Sequence, residues 1–433
     1  MGLSYFPDPK LMKNRRSFLQ KLTAGIAVPT LLGINSASAS TTDRINHSLK
    51  GEEFWAEVRK SFPLTKDRVY MNNGTFGPSP YPVLEALQKS NEEINISGEY
   101  GNSDQERIAL ASYLGIKTSE LSLTHNTTEG INIMVWGLAL LAGDEVILTK
   151  HEHAGNGLPW LNRAKLDGIL LKTFDPVDTQ EKNLDLIKSL VTSKTKVIAI
   201  PHVTCTTGLV FPIKEISEFA RGQNIYTAID GAHGAGSFDL NLKELGCDFY
   251  AGCYHKWMLG PSGTGFLYVK EELLDELQAI QIGGHTDIGW DMTLNPPVFK
   301  GYVESAHRYD YGTQSKSLFV GVASATDFHL KIGKAKVESR IRELNEYLYQ
   351  GLSALKDKID ILTPEEPQSR ISLVSFRPKN IGYQELGNQL SKAGFRIRQV
   401  PEGGVNAIRV STHIYNSKEE IDAFLKVTKS LLA

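Results

Sequence analysis

Residues 226–269 read YTAIDGAHGAGSFDLNLKELGCDFYAGCYHKWMLGPSGTGFLYV. An apolar run, Tyr226–Asp230, ends in a carboxylate, and His233 follows shortly after it. A second run, Phe249–Cys253, leads to His255 and Lys256 among small residues and glycines, and Gly265–Val269 closes the stretch. A buried Asp followed by a Lys at the end of the next strand is the pair that pyridoxal phosphate (PLP) chemistry requires. The carboxylate keeps the pyridine nitrogen protonated, so the ring can absorb electrons, and the lysine amine condenses with the aldehyde. Taken singly, Asp230 could cap a turn and Lys256 could be a solvated surface lysine. Taken together and in this order, they point to the cofactor.

Outward from this stretch, strands and helices alternate. Leu121–Thr124 runs into a helix predicted at Thr128–Leu141, and Glu145–Thr149 into one near Leu158–Lys165. Ile169–Phe174 precedes a helix at Asn183–Val191, and Val197–Pro201 one at Ile213–Arg221. With the three runs quoted above, this pattern predicts an α/β large domain, a mostly parallel seven-stranded sheet covered by helices. Ligands bind such sheets outside the carboxyl ends of the strands, where Thr124, Lys150, His202, Asp230 and His255 all fall. Residues 40–67 read as an arm with a short helix at Glu52–Ser61, and a brief strand at Val69–Met71 opens the large domain, 68–314. A smaller α+β domain is expected over 315–433. It comprises one long helix (Leu318–Ser353), a strand Arg370–Phe376, a helix Tyr383–Ala393, strands Phe395–Gln399 and Ala407–Val410, and a last helix Lys418–Leu431.

The 433 residues are 41% hydrophobic and 22% charged, ordinary values for a globular chain. The balance of 47 basic against 49 acidic residues gives no ground for nucleic acid as a partner. No apolar run approaches the roughly 18 residues of a membrane span. The first 39 residues stand apart. Asn14-Arg15-Arg16-Ser17-Phe18-Leu19-Gln20-Lys21 is a twin-arginine signature, followed by a mild apolar run (Leu22 to Ile34) and a small-x-small cleavage site, Ala37-Ser38-Ala39. Met12 is an alternative start. The expected mature chain is therefore periplasmic, without a membrane anchor, and delivered by the twin-arginine machinery, which carries folded cargo and so suits an enzyme loaded with cofactor before export. Cys205, Cys247 and Cys253 lie at unpatterned spacings and read as buried free thiols rather than a disulfide framework.

Further motifs sit at the same strand ends. Thr127-Thr128-Glu129-Gly130 opens a helix directly after a strand. Free N–H groups, two hydroxyls and the positive helix end make a phosphate site, although threonines also serve as plain caps. Glu152-His153-Ala154-Gly155-Asn156, His202-Val203-Thr204-Cys205-Thr206-Thr207-Gly208 and Ile408-Arg409-Val410-Ser411 follow in order.

From about Arg68 onward this succession resembles the class V aminotransferase family of fold-type I PLP enzymes, close to its isopenicillin N epimerase branch and related to cysteine desulfurases. The resemblance implies catalytic roles for Lys256, Asp230 and His153, the last as the group stacked on the cofactor ring. It implies that Thr127, Thr128 and His255 hold the phosphate, that Thr204 lies in the loop beneath the ring, and that His233 reaches the phenolic oxygen. Cys205 stands where desulfurases carry Asn. Gly284, in Gly283-Gly284, and Thr313, in Tyr311-Gly312-Thr313, match loops that a partner subunit lends to the phosphate, which implies a homodimer with shared active sites. Arg409 matches the arginine that binds the substrate carboxylate, a task suited to a planar guanidinium. Arg398 is a second family arginine, or equally a structural ion pair, and Asn73 is placed on the substrate side. Desulfurases also carry a nucleophilic Cys between those two arginines, and Gln399–Asn406 contains none.

The expected substrate is a small-molecule amine, an amino acid or a peptide end. Lys256 would act as general base at the α-carbon. Transamination is the preferred outcome; epimerisation and C–S or β-elimination remain open. A rival of another class is a metal-dependent hydrolase built on His151 and His153 with His202, His233 or His255, although no acidic or Cys ligand at metal spacing accompanies them.

Overall fold

The computed structural model describes residues 45–433; the predicted export signal lies outside them. Seven strands form the main sheet: β1 (Leu121–Thr124), β2 (Glu145–Thr149), β3 (Leu170–Phe174), β4 (Thr195–Pro201), β5 (Tyr226–Asp230), β6 (Phe249–Cys253) and β7 (Gly265–Val269). Their order is β1-β7-β6-β5-β4-β2-β3. Only β7 runs against its neighbours, β1 and β6; the other pairs are parallel. The sequence explains this arrangement. β1, β2, β6 and β7 are buried along their whole length, as continuous apolar strands covered on both faces must be. The edge strand β3 is more polar and more exposed.

The pairing brings the functional strand ends into line. Pro201 pairs with Asp230, and Asp230 with Ala251. The glycines after β5 have a packing reason. A Cβ at Gly231 would lie 1.8 Å from the ring of Tyr250, and one at Gly234 would lie 1.7 Å from its hydroxyl. Tyr250 itself is fully buried, so substituting either glycine has to expel a core aromatic, and losing such a side chain costs about 3–5 kcal/mol.

A second, antiparallel sheet runs Ile359–Ile361, Val374–Pro378, Ala407–Val410, Arg398–Val400 in spatial order. Helices Lys334–Ser353, Tyr383–Lys392 and Lys418–Leu431 bury Leu344, Leu386 and Ile421 in its core.

The structure departs from the sequence reading in four places. The predicted helix Leu318–Ser353 is two helices, Lys316–Ile332 and Lys334–Ser353, broken at Gly333 with φ 97°. Phe319 and Val322 of the first pack into the core of the main sheet, and Leu348 and Leu352 of the second into that of the small sheet. The strand expected from Arg370 starts at Val374, because Pro367–Ser369 forms a short 3₁₀ turn just ahead of it. The strand expected over Phe395–Gln399 is split. Phe395–Arg396 pairs with Val69–Tyr70, while Arg398–Val400 joins the small sheet. Two helices absent from the sequence reading, Tyr81–Ser97 and Asp104–Leu114, precede β1.

Candidate active site

A cavity of about 220 Å³ opens at the carboxyl ends of the strands, and Lys256, Asp230, His233, His255, Thr127, Thr128, His153, Arg398 and Arg409 all reach it. Sequence reasoning had singled out each of these residues. Lys256 follows β6 by three residues, and its Nζ lies 3.4 Å from His233 Nε2. The turn that holds it is clamped by Gly77, whose N–H donates to the His255 carbonyl at 2.8 Å. A Cβ at Gly77 would meet the Lys256 carbonyl at 2.0 Å. Asp230 ends β5, and its Oδ1 accepts the Ala232 N–H at 3.0 Å. His233 is buried, and burial together with the nearby charges of Lys256 and Arg409 holds it far below the usual imidazole range. It is a neutral ring in working conditions.

The opposite wall is the start of the helix Thr127–Gly137. Asn126 caps it by accepting the Glu129 N–H, and Gly130 lets it approach the sheet. Thr127 Oγ1 is buried with no nitrogen or oxygen partner and only the Cys253 thiol beside it, and Nδ1 of His255 is buried without a hydrogen-bond partner. Buried polar atoms without partners are rare and costly. Two of them beside a helix N-terminus fit a phosphate supplied by a ligand. Burial and Lys256 push His255 down to about 4, so its ring is neutral too.

The small sheet contributes the third wall. Arg409 is 1% exposed, donates to the Cys205 carbonyl at 2.7 Å and to Thr75 Oγ1 at 2.9 Å, and leaves Nε without a partner. No carboxylate of the described residues pairs with it. Burial lowers it to about 10, still charged at neutral pH. Arg398 also faces the cavity but is ion-paired with Glu402.

Other predicted residues have different tasks. Asn73 does not line the cavity. Its amide is taken up by the Lys256 carbonyl at 3.4 Å and by the Tyr415 hydroxyl at 2.9 Å, and its neighbours Gly74 and Thr75 face the cavity instead. Thr204 is likewise spent on its own loop, with Oγ1 2.9 Å from Thr207 Oγ1 and accepting the Leu209 N–H at 3.0 Å. Cys205 lines the cavity in its place, its thiol pushed up to about 11 by burial. Gly284 and Thr313 lie away from this chain's own cavity; Thr313 lines a separate cleft with His285 and Lys316. His153 caps the helix Ala154–Asp167 through Nδ1, which accepts the Gly155 N–H at 3.0 Å. The turn carrying it is pinned by Glu152, a residue the sequence did not mark as functional. Glu152 accepts from Thr149 N, Thr149 Oγ1 and Asn156 Nδ2 at 3.0, 2.9 and 2.8 Å. His202 is a core histidine, stacked on Phe238 at 4.6 Å and 2.9 Å from the Tyr250 hydroxyl. Among the described residues no three His, Cys, Asp or Glu side chains converge as metal ligands, and no helix is long and apolar enough to cross a membrane.

Comparison with known proteins bears on the family and the fold. The family model described as aminotransferase class-V matches residues 99–424. The chain is 31% identical over 429 residues to the probable cysteine desulfurase of Xylella fastidiosa (strain 9a5c), covering 90% of this chain and 100% of that one. It is 29% identical over 393 residues to the isopenicillin N epimerase of Streptomyces clavuligerus, covering 85% and 96%. Among solved structures, the cystine C–S lyase C-DES in complex with its product cysteine persulfide superposes with a TM-score of 0.77 at 27% identity, covering 85% and 99%. A variant of C-DES with glycine covalently linked to its PLP cofactor gives 0.78 at 26% identity, covering 86% and 98%.

Proposed function

Since the chain belongs to the aminotransferase class-V family and is a PLP-dependent enzyme of the fold-type I class, we propose that it removes the α-proton of an amine bearing a free carboxylate, an amino acid or a peptide end. The observation that carries this reading is Arg409, a buried guanidinium with no acidic partner among the described residues, facing the same cavity as Lys256 and Asp230. A buried charge is tolerated when a partner arrives to pair with it, and a carboxylate is the partner a guanidinium fits best. PLP supplies an electron sink for the charge left on the α-carbon. Lys256 supplies the amine that holds it and then the general base. Asp230 would hold the ring nitrogen, and Thr127, Thr128 and His255 would hold the phosphate.

Transamination is the outcome we put first. A second reading, elimination of a sulfur leaving group, is favoured by the likeness to a cystine C–S lyase. A desulfurase that stores sulfur on its own cysteine is less well supported despite relatives of that name. Gln399–Asn406 holds no Cys, and burial raises the thiols of Cys205 and Cys253 out of the thiolate range.

Product analysis separates the outcomes: a keto acid with a pyridoxamine-form cofactor means transamination, pyruvate with sulfide or persulfide means elimination, and an inverted α-carbon means epimerisation. In every case Lys256→Ala should abolish turnover while leaving the fold intact by circular dichroism, and an active Lys256→Ala protein would sink the proposal.

Residues 1–39 we read as a twin-arginine signal that sends the mature chain to the periplasm. Cell fractionation, with Arg15 and Arg16 both changed to Lys, tests this. The homodimer inferred from Gly284 and Thr313 is tested by light scattering, with a monomeric active enzyme as the contrary result.

A further inference from the structure

We propose that Trp257, which does not itself line the cavity, is the positioning residue that sets which nitrogen of His233 carries the proton. The indole Nε1–H donates to His233 Nδ1 at 3.0 Å. An indole can only donate, so Nδ1 must be an acceptor and the single proton of the neutral ring sits on Nε2. Nε2 is the atom 3.4 Å from Lys256 Nζ. In this tautomer the site presents an N–H donor, not a lone pair, on the side of Lys256, where the cofactor would be held. The alternative tautomer would face N–H against N–H at Nδ1 and leave the cavity without that donor.

Trp257 is fixed by its own surroundings. His413 accepts the Ile414 N–H on Nδ1 at 2.7 Å, so its proton lies on Nε2, which donates to the Trp257 carbonyl at 2.9 Å. The two rings stack 5.6 Å apart at 20°, and His413 stacks in turn on Tyr415 at 5.7 Å. Tyr415 reaches Asn73, which bonds the Lys256 carbonyl. Both His413 and Trp257 are fully buried. A Cβ at Gly236 would stand 2.4 Å from the Trp257 backbone, so the peptide has no room to shift. The chain of donors runs one way, from the Ile414 amide through His413 and Trp257 to His233. Such outer partners commonly decide a histidine's tautomer.

Two measurements test this, and the first does not depend on the PLP chemistry of the cavity. Nitrogen-15 shifts of histidine-labelled protein, with His233 assigned by its loss in His233→Gln, should show a pure Nε2-protonated ring in the wild type. In Trp257→Phe the ring should become a mixture of tautomers. Benzothienylalanine at position 257 keeps both rings and lacks the N–H, so it serves if Trp257→Phe does not fold. The second measurement is PLP affinity by absorbance titration. Trp257→Phe should weaken it about fivefold or more in the His233 background. In the His233→Gln background, where an amide N–H needs no tautomer, the change should be under about threefold. A His233 that stays Nε2-protonated without the indole N–H, or equal losses in both backgrounds, would overturn the assignment and leave Trp257 as packing only.

Discussion

Arg398 and Arg409 sit directly opposite each other on neighbouring strands of the small sheet, and both face the cavity. Like charges so placed repel, and the chain deals with the two differently. Arg398 is neutralised four residues downstream by Glu402. Arg409 is buried and ion-paired with no carboxylate of the described residues, held by a carbonyl and a hydroxyl with its Nε left over. The residue type is identical, so the difference lies in what is left unsatisfied. A charge paired within the fold is structure; one left unpaired is a request for a ligand.

The sharpest way to break this contrast is to remove each arginine in turn. Arg409→Met should lower kcat/KM by roughly 30- to 1,000-fold, mostly through KM, because a buried charge pair with the substrate is lost. Steady-state kinetics on whichever carboxylate-bearing amine proves active will show it, and a loss under fivefold would mean that Arg409 is not the carboxylate site.

Buried histidines sharpen the point from another side, since they can shed their charge and Arg409 cannot. Burial lowers His202 and His413 to about 3 and His329 to about 4. In the unfolded chain these rings take up protons below about pH 6.5 while the folded ones do not. The unfolded state therefore binds more protons, and stability falls as pH drops from about 6.5 toward 4. Urea midpoints across that range should decline, and His202→Gln should flatten the slope; a midpoint independent of pH would contradict the burial of these rings.

The smallest effect is expected at Arg398. Arg398→Met should change kcat/KM by less than about fivefold, in keeping with a partly exposed ion pair worth about 0.2–1 kcal/mol. A hundredfold loss there would erase the distinction between the two arginines.

The sequence revealed the residues whose type is chemically demanding. Five strands of the main sheet begin and end where their apolar runs do, because strands buried on both faces are written as uninterrupted apolar segments. Asp230, Lys256 and Arg409 were legible because few residue types can do their work. What escaped was whatever depends on contacts distant in sequence. Asn73 and Thr204 looked like site residues, but their side chains are consumed by Tyr415 and by Thr207 and Leu209. For Arg398 the sequence left a carboxylate-binding role and a structural ion pair open, and the pairing with Glu402 shows the second. Trp257 drew no reading from the sequence, and only its N–H on His233 gives it a role. Gly333 was readable in principle, as a glycine inside a long helical run, yet only its φ of 97° shows that the helix ends there.

The measurement that tests the central claim most directly is hydrogen exchange at the α-carbon. PLP-loaded protein in D2O is mixed with a panel of amino acids, peptides and the corresponding amines without carboxylates, and deuterium is followed by NMR. This step is shared by transamination, epimerisation and elimination alike. The account predicts exchange in at least one carboxylate-bearing amine, sharply reduced by Arg409→Met and absent in Lys256→Ala. Exchange that persists without Lys256, or that is as fast in amines lacking the carboxylate, would contradict it.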